Sequence, residues 1–439
     1  MTTETLSVSP SIALSREAEE AGLEPRLRGL RPSATLAIQE RSTQLAQAGR
    51  SIVRFGLGQS PFPVPNNVAD ALRANAGQKD YLPVRGLPAL RAAIARHLWM
   101  RHGIARSGDD VLVAPGSKEL MFLLQVAMRG RLIVPTPAWV SYVPQARILG
   151  REVLHLHTRE EDRFQIDPDA LDRLCRESGR VPQMLILNSP SNPTGVAHDR
   201  ERLEGIAKVA RKHGIHVLSD EIYGELHFRA GHVSIATLYE EGTIVSTGLS
   251  KWCGAGGWRL GCFVFPEAQR WLLDAMAVVA SETYSATSAP IQHAAVRAFQ
   301  PDPALEVYLD ASRRVLRGLM GWACAQLRQA GARVIEPDAA FYAFPSFAPL
   351  RDALRARGIE DDAQLAERLL EEEGVATLPG SEFGVPREAL HLRLALVEFD
   401  GARALTAAAS GEVDEAFLRA HCAPSVQGIE RMVRFLGRS

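Results

Sequence analysis

The chain has 439 residues, 46% of them apolar and 23% charged, enough to bury the cores of two or three globular domains. A formal net charge of −1 provides no field to hold nucleic acid or an anionic membrane surface. Five cysteines without C-x-x-C pairs fit reduced, buried thiols of a cytoplasmic protein, not a disulfide framework.

Residues 1–25 carry several glutamates and no apolar run, so they read as a flexible N-terminal extension without a targeting signal. Residues 26–74 lack a sheet pattern and are assigned to the N-terminal part of a small domain. From 75 to 310, short apolar runs bounded by Gly, Pro, Asn or Asp alternate with helical stretches. That alternation predicts a large α/β domain with a mostly parallel sheet. Strands are predicted at 111–114, 131–134, 184–187, 215–219, 243–246 and 262–265, and helices at 118–128, 168–176 and 199–213. The last helix sets Leu203, Ile206, Ala207 and Ala210 on one face and ends near Gly214, a suitable C-cap. His155 and His157 read as a pair on one strand face, with a metal pair as the alternative. Residues 311–439 change character and are assigned to the C-terminal part of the small domain. There the pattern gives a long charged helix from about 311, strands near 332–335 and 391–396, and an acidic helix over 361–373. The longest uncharged apolar stretch, around 275–280, is far too short to span a bilayer.

Polar residues gather just past the predicted strand ends, where ligands of open α/β sheets bind. Gly116-Ser117-Lys118 stands at a strand–helix junction, where backbone N–H groups and the helix dipole favour a phosphate. The G-x-x-x-x-G-K-[ST] spacing of a P-loop is absent. Trp139 follows the next strand, and N-S-P-S-N-P-T-G at 188–195 forms a tight loop after another. Asp220-Glu221-Ile222-Tyr223 ends the 215–219 run; a carboxylate buried there needs a cationic partner. Residues 248–261 read G-L-S-K-W-C-G-A-G-G-W-R-L-G: Lys251 directly after a strand, then a glycine-rich loop, then Arg259. The planar fork of an arginine suits an oxyanion.

In this order these segments resemble the class I/II aminotransferases, pyridoxal 5′-phosphate (PLP) enzymes of fold type I, and within them the bacterial aspartate aminotransferase subgroup. The likeness spans roughly residues 30 to 400. It implies a mostly parallel large domain with a smaller α+β domain, and a Schiff base between Lys251 and PLP. Ser250 and Arg259, with Ser117 and Lys118, would hold the phosphate, and Trp139 would stack on the ring. Asn192 and Tyr223 would bond the ring oxygen, Tyr223 thereby tuning the aldimine. Asp220 would keep the ring nitrogen protonated, which makes the ring an electron sink. Arg393 would grip the substrate α-carboxylate as a bidentate pair. Tyr81 would reach the phosphate of a neighbouring subunit, which implies a homodimer with a shared active site.

Three features bear on the substrate. Pro32-Ser33-Ala34-Thr35, together with Lys118, resembles the segment that contacts a distal carboxylate in the bacterial subgroup, although Ser and Thr before a helix also serve as N-caps. Residues 281–290 contain no arginine, and Gly58-Gln59-Ser60-Pro61 departs from the usual Gly-Glu-Pro near the substrate entry. Gly248 stands where family members often carry a phosphate-binding serine. The expected reaction is a ping-pong transamination between an aspartate- or glutamate-like amino acid and a 2-oxo acid, with Lys251, Asp220 and Tyr223 catalytic. A β-lyase, cyclase or oxidase on a specialised amino acid would need the same cradle. A PLP-binding regulatory module is disfavoured, because the residues before Pro25 are too few for a DNA-binding domain.

Overall fold

Seven strands build the central sheet: β1 (Val111–Ala114), β2 (Arg131–Thr136), β3 (Val153–His157), β4 (Gln183–Asn188), β5 (His216–Asp220), β6 (Thr243–Gly248) and β7 (Gly261–Val264). Their spatial order is β1-β7-β6-β5-β4-β2-β3. The run from β6 to β3 is parallel, and β7 lies antiparallel between β6 and β1. Strands covered by helices on both faces read as unbroken apolar runs, which is why β1, β4 and β6 stood out in the sequence. This computed structural model describes residues 22–30, 32–179, 181–229 and 231–438, so nearly all of the expected N-terminal extension lies outside the described residues.

Strand β3 had no such signal because it is an edge strand, largely open to solvent. It carries His155 and His157, whose rings stack 6.3 Å apart, and Thr136 Oγ1 bonds His157 Nδ1 at 3.0 Å. The pair is a strand face, and no third ligand joins it among the described residues. The helices start and stop on the expected chemistry. Asp199 caps Arg200–His213 by accepting from the Arg202 N–H, and Gly214 closes it in the left-handed conformation. The long helix begins earlier than the charge pattern suggested, at Pro303, because Asp302 caps it and a proline suits the first turn.

One expectation for the C-terminal segment needs correction, while the strand expected near 391–396 and the helix over 361–373 are present. Residues 332–335 form no strand, only an isolated bridge from Arg333 to Ser346. The small antiparallel sheet instead sets Leu392–Ala395 between Tyr342–Ala343 and Leu378–Pro379, strands too short to show a period. Val53–Arg54 pairs in parallel with Val375–Ala376, which ties the segment before residue 75 to the far end of the chain. All five cysteines are buried free thiols.

One buried charge cluster centres on Glu225. Glu225 accepts from His97 at 2.9 Å and His102 at 3.2 Å, with Arg101 at 3.2 Å and Arg313 at 3.4 Å on its other oxygen. The two histidines and the glutamate have the spacing of a metal site, but two arginines on the same carboxylate repel a cation. Burial alone would raise the Glu225 pKa; the hydrogen bonds and charge of His102 and His97 outweigh it and hold the carboxyl well below its usual range. A carboxyl lowered in the native state adds stability above its unfolded pKa of about 4.3, and loses it as pH falls through the native value. Glu225→Gln is therefore expected to lower the melting temperature at pH 7, at a cost on the order of 3 kcal/mol, and to flatten the acid-side loss of stability. Thermal melts at neutral and acid pH measure both effects, and an unchanged neutral melt contradicts the assignment.

Strands β6 and β7 approach so closely that Gly248 has no room for a side chain. An ideal Cβ there would lie 2.7 Å from the Leu260 carbonyl oxygen and 2.9 Å from the Gly261 Cα, both backbone atoms. The serine common at this place in the family would not fit between these strands. Gly248→Ser should cost about 1–3 kcal/mol of stability without adding a usable hydroxyl, and a melting temperature equal to the parent's would refute the crowding.

Candidate active site

A cavity of about 330 Å³ opens at the carboxyl ends of five central strands, β1, β2, β4, β5 and β6. Each strand delivers its polar residue within a few positions of its last residue. Ser117 and Lys118 follow β1, Trp139 follows β2, Asn192 follows β4, Asp220 ends β5, and Ser250 and Lys251 follow β6. Arg259, Thr35, Gly58, Tyr223 and Arg393 join them on the same wall. Tyr81 does not line the cavity; its side chain is 95% exposed in the single chain.

One end of the cavity is cationic. Gly116 turns with φ +95°, and an ideal Cβ there would lie 2.2 Å from Arg259 Nη2, so the guanidinium rests against a backbone that only glycine permits. The next residue, Ser117, opens the helix Ser117–Ala127, whose amino end faces the same space. Lys118 lies over the Trp139 ring, its Nζ 4.9 Å from the centroid. Its pKa is lowered, first by burial and then by the charges of Arg259 and Lys251. Three crowded cations favour an anion between them.

At the other end Asp220 is 4% exposed, and among the described residues no cation pairs with it. Burial pushes its pKa up to about 6, opposed by hydrogen bonds from Tyr142, the Ile222 backbone N–H and Ser246. Tyr142 donates to Asp220 Oδ2 at 2.6 Å, and Ser246 to Oδ1 at 3.4 Å. Such a carboxylate suits a ligand that brings its own positive charge.

Between the two ends, the Lys251 amine donates to the Gly58 carbonyl at 2.6 Å and lies 5.7 Å from the Tyr223 ring. The Tyr223 and Tyr342 hydroxyls are 2.9 Å apart, and the Tyr223 pKa is raised, first by burial and then by Tyr342. The 188–195 loop is laced to β5: the Asn188 amide donates to the Asp220 carbonyl at 2.8 Å, and its oxygen accepts from the Asn192 N–H at 2.7 Å. Arg393, 2% exposed, donates to Asn192 Oδ1 at 3.3 Å and to the Gly56 carbonyl, with its guanidinium over the Tyr342 and Phe383 rings. Burial lowers its pKa. Ser33 precedes the helix Ala34–Gln47, yet its hydroxyl makes no capping bond; Ser33 and Thr35 both line the cavity.

Sequence reasoning missed Tyr142, Tyr342 and the lacing role of Asn188. Tyr142 follows Trp139 by three residues, one turn of chain, and its ring meets the Trp139 ring edge-on at 5.3 Å. That spacing was the available signal. Tyr342 sits on a two-residue strand in a run of aromatics, where nothing distinguishes a site residue from core.

A cavity with a cationic end, a buried carboxylate lacking a protein cation, and the Lys251 amine on its wall suits an anionic group that carries a protonated nitrogen. The profile of the family Aminotransferase class I and II matches residues 50–402. The aspartate aminotransferase of Bacillus subtilis is 33% identical over 374 residues, covering 83% of this chain and 92% of that protein. The aspartate/prephenate aminotransferase of Thermus thermophilus is 30% identical over 367 residues, covering 82% of this chain and 91% of that protein. The solved aspartate aminotransferase from Thermus thermophilus with maleate matches with a TM-score of 0.80 at 28% identity, covering 94% of this chain and 99% of that one. The chain therefore belongs to the class I and II aminotransferase family and is a transaminase with the fold type I architecture.

Proposed function

We propose that this transaminase uses PLP and moves an amino group between an aspartate- or glutamate-like amino acid and a 2-oxo acid. The observation that carries the cofactor reading is Asp220, a buried carboxylate without a protein cation, lining the same cavity as the crowded cations Lys118 and Arg259. Bound PLP supplies an aldehyde carbon and an electron-withdrawing ring. Ser117, Lys118, Ser250 and Arg259 hold its phosphate, and Trp139 covers one ring face. Asp220 holds the proton at the ring nitrogen. Asn192 and Tyr223 orient the ring oxygen, and Tyr342 fixes the Tyr223 hydroxyl. Lys251 Nζ takes the proton from the substrate Cα and returns it, as general base and then acid.

Arg393 binds the α-carboxylate, its fork held in place by Asn192 and Gly56. Ser33, Thr35 and Lys118 receive the distal carboxylate. Residues 26–74 and 311–439 form one small domain against the large domain of 75–310, joined by the pairing of Val53–Arg54 with Val375–Ala376. Carboxylate binding at Arg393 draws that domain over the site and excludes water. Tyr81, exposed in the single chain, reaches the phosphate in a second copy, so the working unit is a homodimer. No described helix is long and apolar enough to cross a membrane, and the working place we propose is the cytoplasm.

The test incubates the PLP-loaded protein with aspartate or glutamate and, in separate reactions, 2-oxoglutarate, oxaloacetate or pyruvate. Amino groups should exchange one for one between donor and acceptor. Release of ammonia or peroxide without exchange would overturn the assignment. Lys251→Ala should abolish turnover, and Arg393→Leu should lower kcat/KM on the order of 10²-fold or more, because it unpairs a buried carboxylate.

A further inference from the structure

Asp220 poses a problem of its own, apart from the ligand it faces. A carboxylate 4% exposed at the end of a central strand prefers to be neutral, and its neighbour Glu221 adds a like charge. Besides the Ile222 backbone N–H, which Tyr142→Phe leaves in place, two side chains reach it to oppose that preference. The Ser246 hydroxyl, at 3.4 Å, is at the limit of hydrogen bonding. The Tyr142 hydroxyl, at 2.6 Å from Oδ2, has the short distance of a bond to a charged oxygen. Tyr142 is itself 2% exposed, and Asp220 is the only side-chain partner of its hydroxyl among the described residues.

The same side chain has a second task. Its ring meets the Trp139 ring at 83° with centroids 5.3 Å apart, and its backbone N–H donates to the Trp139 carbonyl at 3.2 Å. An edge-to-face pair of this kind fixes both rings. One residue therefore sets the plane of the indole that covers the slot and the direction of the carboxylate at its end.

We propose that Tyr142 is a positioning residue of this transaminase: its hydroxyl keeps Asp220 charged and aimed into the slot, and its ring edge seats Trp139. The slot is thus shaped before the cofactor enters. The proposal rests on the PLP reading for its consequence in catalysis, but the Tyr142–Asp220 bond can be tested without the cofactor. Mere packing would be served equally well by phenylalanine, so Tyr142→Phe separates the two roles.

In the apoprotein, carboxyl NMR of ¹³C-labelled aspartates follows the Asp220 signal, identified as the one missing in Asp220→Asn. Its midpoint, about 6 in the parent, should move up by about one pH unit or more in Tyr142→Phe. Ser246→Ala, which removes the longer bond, should shift it much less. An unmoved midpoint in Tyr142→Phe overturns the proposal whatever the cofactor does. In the second arm, PLP is titrated into each apoprotein. Tyr142→Phe should bind it about 10- to 100-fold more weakly, the loss of one charge-assisted bond. Reconstituted at saturating PLP, the variant should lose kcat while KM for the amino donor stays within about twofold, since Arg393 is untouched. Parent-like PLP affinity and kcat in Tyr142→Phe would overturn the positioning role. A parent protein that binds no PLP sinks the functional reading instead, and the apoprotein titration still decides on Tyr142.

Discussion

The site depends on one electrostatic constraint: a carboxylate buried at the end of β5 without a cation of its own. Charge taken out of water is costly unless it is paired, and the chain supplies Asp220 only with hydrogen-bond donors. The cations that could have paired with it stand at the far end of the slot, where Lys118 is already crowded by Arg259 and Lys251. Both ends are therefore electrostatically unsatisfied in opposite senses. A ligand that is anionic at one end and cationic at the other relieves both strains at once, and it can enter in only one orientation. This polarity suits an anion joined to a cationic nitrogen better than a simple anion.

The rest of the architecture holds the two ends apart. Parallel strands present their carboxyl ends side by side, so residues distant in the chain arrive at one edge with no long loops between them. The lacing by Asn188 keeps the β4 and β5 ends in register, since it bonds the Asp220 carbonyl and the Asn192 N–H with one side chain. Arg393 comes from a separate sheet, and its guanidinium reaches back to Gly56 near the start of the chain. The cavity lining thus draws Thr35, Gly58, Tyr342 and Arg393 from the two ends of the sequence, and Lys118, Trp139, Asn192, Asp220 and Lys251 from its middle.

What could be read from the sequence follows the same division. The middle set was legible because each of its residues stands at a strand end marked by an apolar run and a turn, as with Gly116-Ser117-Lys118 after β1 and Lys251 after β6. The edge strand β3 showed only through its His155–His157 face, and the two-residue strands of the small sheet not at all, because partial exposure or brevity leaves little period to detect. The expected strand at 332–335 failed for the converse reason: an apolar stretch there finds a core without finding a ladder. Tyr342 was hidden because its role lies in a contact to another site residue, and Tyr142 offered no signal beyond its spacing from Trp139. A tyrosine in an apolar run is indistinguishable from core until its hydroxyl is given a partner.

The part of the cavity lined by Ser33, Thr35, Leu36, Leu57 and Gly58 obeys a weaker constraint. At the mouth, Ser33 is free of the capping duty its position suggests, so its hydroxyl remains available to a ligand beside Thr35. Leu36 and Leu57 line the same mouth, which makes it apolar as well as hydroxyl-bearing. Lys118 lines the same cavity, its pKa lowered by burial and by the charges of Arg259 and Lys251. A carboxylate between Thr35 and Lys118 would meet a hydroxyl and a lysine, whereas one at Arg393 would meet a planar guanidinium fork. Bidentate pairing is stronger and more directional than a point charge with hydroxyls. Recognition should therefore be strict for the α-carboxylate and graded for the side chain, which allows the chain to keep its transaminase site while its substrate range shifts with residues 33–36 and 57–60.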